Sequence, residues 1–187
     1  MGTEGPGQST LLMLDVAAKL DAAGIDYAVV GAMAAAVHGV VRASLDVDAV
    51  VSVQLRDIAV LKQLLAAPEL EVETRLGDAD DPIGALLAVT DAHGNRVNLL
   101  IGLRGLDPGA FSRAQNVNMN GQRLRVIGRE DFIAMKAFAG SALDLSDARQ
   151  AIAVDRNSLD LELLQRLANR FGNDAASRVE TLIVGSD

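Results

Sequence analysis

The sequence predicts an α/β (α+β) fold: mixed strands and helices over residues 1–128, then a C-terminal helical bundle over 129–187 packed on that core. Three observations carry this expectation. Short β-branched runs alternate with runs at helical spacing as far as residue 128. Turn signals (Gly24, Gly39, Pro68, Asp91-Ala-His-Gly-Asn95 and Asn120-Gly121) fall between those runs. Beyond Arg129 only helical spacing recurs, and no repeat or low-complexity tract interrupts it.

The elements follow in order. Ser9 or Thr10 is the expected cap of a helix whose apolar positions Leu11, Leu14, Val16, Ala17 and Leu20 recur at helical spacing until Gly24. Ile25–Val30 is a short β-branched strand. Gly31 breaks it, and Ala32–His38 reads as an Ala-rich helix closed by Gly39. Asp46–Val53 is a second strand, and Leu55–Ala66 a helix stopped by Pro68. Glu71–Arg75 has strand character. Gly84–Thr90 and Arg96–Ile101 flank a turn-rich connection and read as a hairpin. A second hairpin, Asn116–Met119 with Gln122–Ile127, turns at Asn120-Gly121, a dipeptide that favours a type I′ turn. The tail divides into helices near 130–140, 144–154, 159–171 and 173–184.

Composition narrows the possible functions. Half of the 187 residues are hydrophobic but only 3% are aromatic, so the core must be built from Ala, Val, Leu and Ile. The absence of cysteine excludes disulfides, thiol catalysis and Cys-ligated metals. A net charge of −8 argues against general adhesion to nucleic acid or anionic membranes. The N-terminus has no basic leader, and the uncharged run that contains Ala28–Val41 is shorter than the ~20 residues of a membrane span. A cytoplasmic protein is the expectation. The acidity is uneven, however. Residues 96–136 hold Arg96, Arg104, Arg113, Arg123, Arg125, Arg129 and Lys136 against three acidic side chains. That segment reads either as solvated strand faces or as a basic surface for polyphosphate or RNA.

The informative stretch runs from Val29 to Val51. A strand delivers the backbone to Gly31-Ala32, where small residues let a phosphate approach the start of a helix. Asp46 and Asp48 then flank one residue of an apolar strand, and positions i and i+2 share a face. Two like charges so placed are unfavourable unless a cation or basic partner neutralises them. Hard carboxylate oxygens at this spacing suit Mg²⁺ held together with substrate phosphates. An isolated Asp-x-Asp is more often a solvated edge. Here the ordered series strand, Gly31, short helix, Arg42, Ser44, Asp46, Asp48 is what favours chemistry.

That series resembles the nucleotidyltransferase superfamily, in which a Gly-Gly/Ser element is followed by Asp-h-Asp-h. Gly24-Ile25-x-Tyr27-x-Val29-Val30-Gly31, His38-Gly39 and Arg42-x-Ser44-x-Asp46-Val47-Asp48 look more narrowly like minimal bacterial AbiEii-type, toxin–antitoxin-associated members. Gly94–Gly102 resembles the family's third motif, and Asp131–Gly140 with Asp144 and Asp147 resembles a downstream Lys…Asp-x-x-Asp element; together the matches cover about residues 10–150. The resemblance implies Asp46, Asp48 and Lys136 as catalytic residues. It also implies Gly31, Ala32, Arg42, Ser44, Asn98 and Asp144 as nucleotide-binding residues, and Asp46 and Asp48 as ligands of Mg²⁺. The implied reaction moves a nucleoside monophosphate from an NTP to an acceptor hydroxyl on a protein, a tRNA or a small molecule. A cognate antitoxin is an allowed partner.

One position departs from the pattern. Asn98 stands where the family carries a third carboxylate; it keeps an oxygen but cannot take a proton. The alternative it raises is a catalytically weakened or inactive nucleotide-binding module. Other residues keep two readings at this stage. Arg42 either clamps phosphates or pairs with Asp46 or Asp48. Lys136 either meets the nucleotide or snorkels from an apolar helix face. Asp144 either sits near the nucleotide or caps a helix. His38 either caps its helix or touches substrate, and Ser44 either meets phosphate or only shapes the turn.

Overall fold

The computed structural model describes residues 2–185; Met1, Ser186 and Asp187, the outermost positions of the expected spans, lie outside them. The fold is mixed α+β, as expected. Helix α1 (Ser9–Ala22) leads to strand β1 (Tyr27–Val29), helix α2 (Gly31–Val37) and strand β2 (Asp46–Val51). A 3₁₀ turn, Leu55–Asp57, precedes α3 (Ile58–Leu65); β3 (Leu70–Leu76), β4 (Ile83–Asp91) and β5 (Arg96–Leu103) follow. After the short α4 (Ala110–Arg113) come β6 (Gln115–Met119) and β7 (Gln122–Val126). The rest is helical: α5 (Arg129–Ala139), α6 (Ala142–Val154), α7 (Leu161–Phe171) and α8 (Asn173–Val184).

The chain forms two compact units. The first comprises the chain up to Met33, with Ala43–Arg104 and Asn116–Val126; the second comprises Ala34–Arg42, Gly105–Gln115 and the chain from Ile127 onward. Two stretches outside the tail thus join the helical unit, and their side chains explain why. In Ala34–Arg42, His38 bonds the Ile127 carbonyl and Arg42 bonds Asp147. In Gly105–Gln115, Arg113 makes a two-pronged bond to Asp131.

The first unit holds a seven-stranded sheet in the order β3-β4-β5-β2-β1-β7-β6, apart from Gln115 at the start of β6. It is mixed: β2 runs parallel to β5 and β1 to β7, while β1–β2, β3–β4 and β4–β5 are antiparallel. Along β5 the side chains Val97, Leu99 and Ile101 are fully buried, whereas Arg96, Asn98 and Leu100 are half-buried. This alternation is the signature of a strand with one apolar face. Helix α1 packs on β2, β5 and β7, and α3 packs on α1. Each fully buried Leu or Ile contributes about 1.5–3 kcal/mol of transfer free energy, which is how so aliphatic a sequence holds together with five aromatic residues. The Asn120-Gly121 turn has φ +52° and +79°, both left-handed, as a type I′ turn requires.

The second unit centres on α5, which contacts α6, α7 and α8. Phe132, Ile133, Ile152, Leu164, Leu167 and Val179 are buried there, and Phe138 stacks on Phe171 with ring centroids 4.9 Å apart.

Several local expectations need correction. The residue preceding α1 is Gln8; the Ser9 hydroxyl instead donates to the Leu45 carbonyl and accepts from the Arg96 amide, tying the helix to the sheet. Ser141, not Asp144, caps α6, accepting from the Asp144 amide at 3.1 Å. Several arginines of the basic segment bond groups of the protein itself. Arg104 bonds the Ala79 and Asp81 carbonyls, Arg113 bonds Asp107 and Asp131, Arg125 bonds Asp26, and Arg129 bonds Ser158. These guanidiniums close the protein's own loops and helices.

His38 is buried rather than poised for substrate. Its Nε2 lies 2.8 Å from the Ile127 carbonyl and its ring 5.2 Å from that of Phe132. Burial pushes its pKa down, and the carbonyl bond only partly offsets this. The folded chain therefore resists a proton that the unfolded chain accepts, so stability is present above about pH 6.5 and is lost as pH falls below it. Urea midpoints measured from pH 7.5 to 5 should decline, and His38→Gln should flatten that decline.

Candidate active site

The first unit carries a small polar face on the internal strands β2 and β5. Strand β2 is internal, and its Asp46 and Asp48 are half-buried while Val47 and Ala49 on the opposite face are buried. The parallel register sets Asp46 opposite Arg96 and Asp48 opposite Asn98. All four side chains therefore lie on one face of two neighbouring strands.

Asn98 Nδ2 donates to Asp48 Oδ1 at 3.0 Å, and Arg96 Nε donates to Asn98 Oδ1 at 2.9 Å. The Arg96 guanidinium thus holds the Asn98 oxygen. The other Asp48 oxygen lies against Gly31: a Cβ added there would sit 2.6 Å from Oδ2. Gly31 also has φ +64°, a left-handed value that strains any larger residue. The Val30 amide donates to the Asp48 carbonyl at 2.8 Å, fixing that approach, and Ala32 follows as the second residue of α2. The carboxylate of Asp46 has no hydrogen-bond or ion-pair partner among the described residues. Ser44 donates to the Asp46 carbonyl at 2.9 Å; its hydroxyl shapes the entry to β2.

The second unit holds the cations that the sequence singled out, in a buried charge network. Lys136 Nζ lies 2.7 Å from Asp144 Oδ1 and 2.8 Å from Asp147 Oδ2. Arg42 Nη1 lies 3.0 Å from the same Asp147 oxygen. Lys136 is thus a paired, buried ammonium and not a snorkelling side chain, and Arg42 pairs with Asp147 rather than with Asp46 or Asp48. Burial works to raise the Asp144 carboxyl, but hydrogen bonds from Lys136 and Ser141 outweigh it and leave Asp144 below the usual carboxylate range. Two participants were underrated in the sequence. Arg96 gave one usable signal, its position two residues before Asn98 on the same strand face. Asp147, 2% exposed, carried only the i+3 spacing from Asp144.

Among the described residues no group of three or more His, Cys, Asp or Glu side chains forms a metal cage. The donor set on β2 still fits one hard divalent cation sharing substrate oxygens. Both Asp46 oxygens and Asp48 Oδ2 remain uncommitted, and Mg²⁺ is commonly held by one or two carboxylates plus phosphates.

The family model described as "Nucleotidyl transferase of unknown function (DUF2204)" matches residues 10–183. This chain belongs to that nucleotidyl transferase family. No curated protein matches its sequence. Among solved structures, this nucleotidyl transferase is similar to an antigenic nucleotidyltransferase-like protein from Paracoccidioides brasiliensis, at 19% identity, 92% coverage of each chain and a TM-score of 0.52. It is also similar to ANT(2″)-Ia in complex with adenylyl-2″-tobramycin, at 16% identity, with 88% of this chain and 96% of that one covered and a TM-score of 0.59. The solution structure of the antibiotic-resistance factor ANT(2″)-Ia matches at 16% identity over 95% and 96% of the two chains, with a TM-score of 0.58. At such identities the likeness establishes the fold, and the family match carries the enzyme class. No helix of the described residues is long and apolar enough to cross a membrane.

Proposed function

We propose that this nucleotidyl transferase moves a nucleoside monophosphate from an NTP to an acceptor hydroxyl with the help of Mg²⁺ held by Asp46 and Asp48. The observation that carries the reading is the pair of carboxylates on one face of an internal strand, with Gly31 keeping open the space beside Asp48 Oδ2. In the reaction the acceptor oxygen forms a bond to the α-phosphorus, the bond to the bridging oxygen of the β-phosphate breaks, and pyrophosphate departs with that electron pair. Bound Mg²⁺ supplies charge neutralisation at the phosphates. The protein's own part is positioning. Asp46 and Asp48 anchor the cation, and the Gly31-Ala32 backbone leaves room for the triphosphate. Arg42, Lys136 and Asp144, the other residues the resemblance singles out, belong to the second unit, where Asp144 and Asp147 pair with the two cations. Asn98 accepts no proton, so the acceptor's proton goes to solvent.

The acceptor class this reading favours is a small molecule bearing hydroxyls. The arginines Arg104, Arg113, Arg125 and Arg129 of the basic segment each bond groups of the protein itself, which leaves their donors less available to RNA phosphates. The ANT(2″)-Ia complex, a chain of similar fold, carries an adenylylated small molecule. The toxin–antitoxin role implied by the resemblance is defined by its partner and is compatible with the same transfer reaction. The test is incubation of the full chain with each α-³²P-labelled NTP, Mg²⁺ and, separately, hydroxyl-bearing small molecules, total RNA and total protein. Label is expected on a small molecule with one preferred NTP. Nucleotide binding without transfer to any acceptor class would instead support the binding-module alternative.

A further inference from the structure

The set Asp46, Asp48, Arg96 and Asn98 has a consequence beyond holding a cation. A carboxylate only accepts hydrogen bonds and a guanidinium only donates them. The Asn98 amide between them is therefore locked in one orientation, nitrogen toward Asp48 and oxygen toward Arg96. This lock removes two oxygens from the face: Asn98 Oδ1 faces a cation, and Asp48 Oδ1 already accepts an N–H. What remains is both oxygens of Asp46 and Oδ2 of Asp48, on a face whose four side chains sum to a charge of −1. With a first cation on one oxygen of each Asp, a second divalent cation would find a single Asp46 oxygen and would sit beside the fixed charge of Arg96.

We infer that Arg96 and Asn98 are positioning residues that restrict this face to a single divalent cation, orienting Asp48 through the Arg96–Asn98–Asp48 relay. The inference rests on reading Asp46 and Asp48 as a cation site. Arg96 thereby supplies, as a fixed side-chain charge, part of the positive potential that a second ion would bring.

The test is titration of the full chain with Mn²⁺ alone, free ion being read by electron paramagnetic resonance, for the wild type, Asp48→Ala, Asn98→Asp and Arg96→Gln. The wild type is expected to bind one Mn²⁺ that Asp48→Ala abolishes, and Asn98→Asp is expected to bind two. Arg96→Gln covers the case in which Asn98→Asp fails to fold: losing one positive charge near the ion should tighten Mn²⁺ binding roughly fivefold. A wild type with two Asp48-dependent Mn²⁺ ions overturns the inference and leaves the cation site standing. So does an unchanged stoichiometry in folded Asn98→Asp together with unchanged affinity in Arg96→Gln. A wild type with no Asp48-dependent Mn²⁺ overturns the cation reading itself, and the inference falls with it.

Discussion

Asp147→Ala is expected to lower the stability of the chain by about 3 kcal/mol, the lower end of the range for breaking a buried ion pair. Asp147 is 2% exposed and touches both Lys136 and Arg42. Removing it leaves the Lys136 ammonium buried with Asp144 alone and frees Arg42 from the helical unit. The effect stays at the low end because Asp144 still neutralises Lys136. Urea unfolding checks the size, and a double-mutant cycle with Lys136→Met checks the cause. The two changes should be coupled by at least about 1 kcal/mol, since they share one hydrogen-bonded ion pair. If Asp147→Ala unfolds at the wild-type midpoint, the network is a solvated surface feature and the buried description is wrong.

The second large effect concerns chemistry and not stability. Asp46→Asn and Asp48→Asn are each expected to reduce nucleotidyl transfer by at least about a thousandfold, because a bound cation's stabilisation of charge in the transition state is worth several kcal/mol. Neither change should destabilise the fold much. Asp46 has no partner among the described residues, and Asp48 gives up only its bond from Asn98. Relief of two like charges on one strand face works in the opposite direction. A large fall in activity with an unchanged unfolding midpoint separates a catalytic role from a structural one.

The two strand carboxylates were legible in the sequence because their information is local. Asp-x-Asp on a strand needs only the period of two to place both side chains on one face, and Gly31 needs only to stand where a strand ends and a helix begins. Both hairpins and the four tail helices were legible for the same reason: Asn120-Gly121, Gly140 and Gly172 mark their ends. What was not legible depends on register or on distant partners. The role of Arg96 follows from β5 running parallel to β2 with Asp48 opposite Asn98, an alignment that no local pattern encodes. Arg42 has phosphate-binding chemistry in any sequence; that it is held by Asp147, 105 positions away, emerges only in the fold. Asp144 looked like a helix cap because Asp favours that position, yet Ser141 lies three residues earlier and takes it, leaving Asp144 for Lys136. The bonds of the basic segment were not legible for a related reason: charge sums along a chain do not show which guanidiniums close loops.

The proposed function stands on Asp46 and Asp48 as cation ligands. The most direct measurement is pyrophosphate release by the full chain with its preferred NTP and acceptor, with and without Mg²⁺, for the wild type, Asp46→Asn and Asp48→Asn. Mg²⁺-dependent release by the wild type that drops at least about a thousandfold in both variants, with all three proteins folded, is the expected result. Release that persists in the folded variants, or that does not depend on Mg²⁺, would contradict the account.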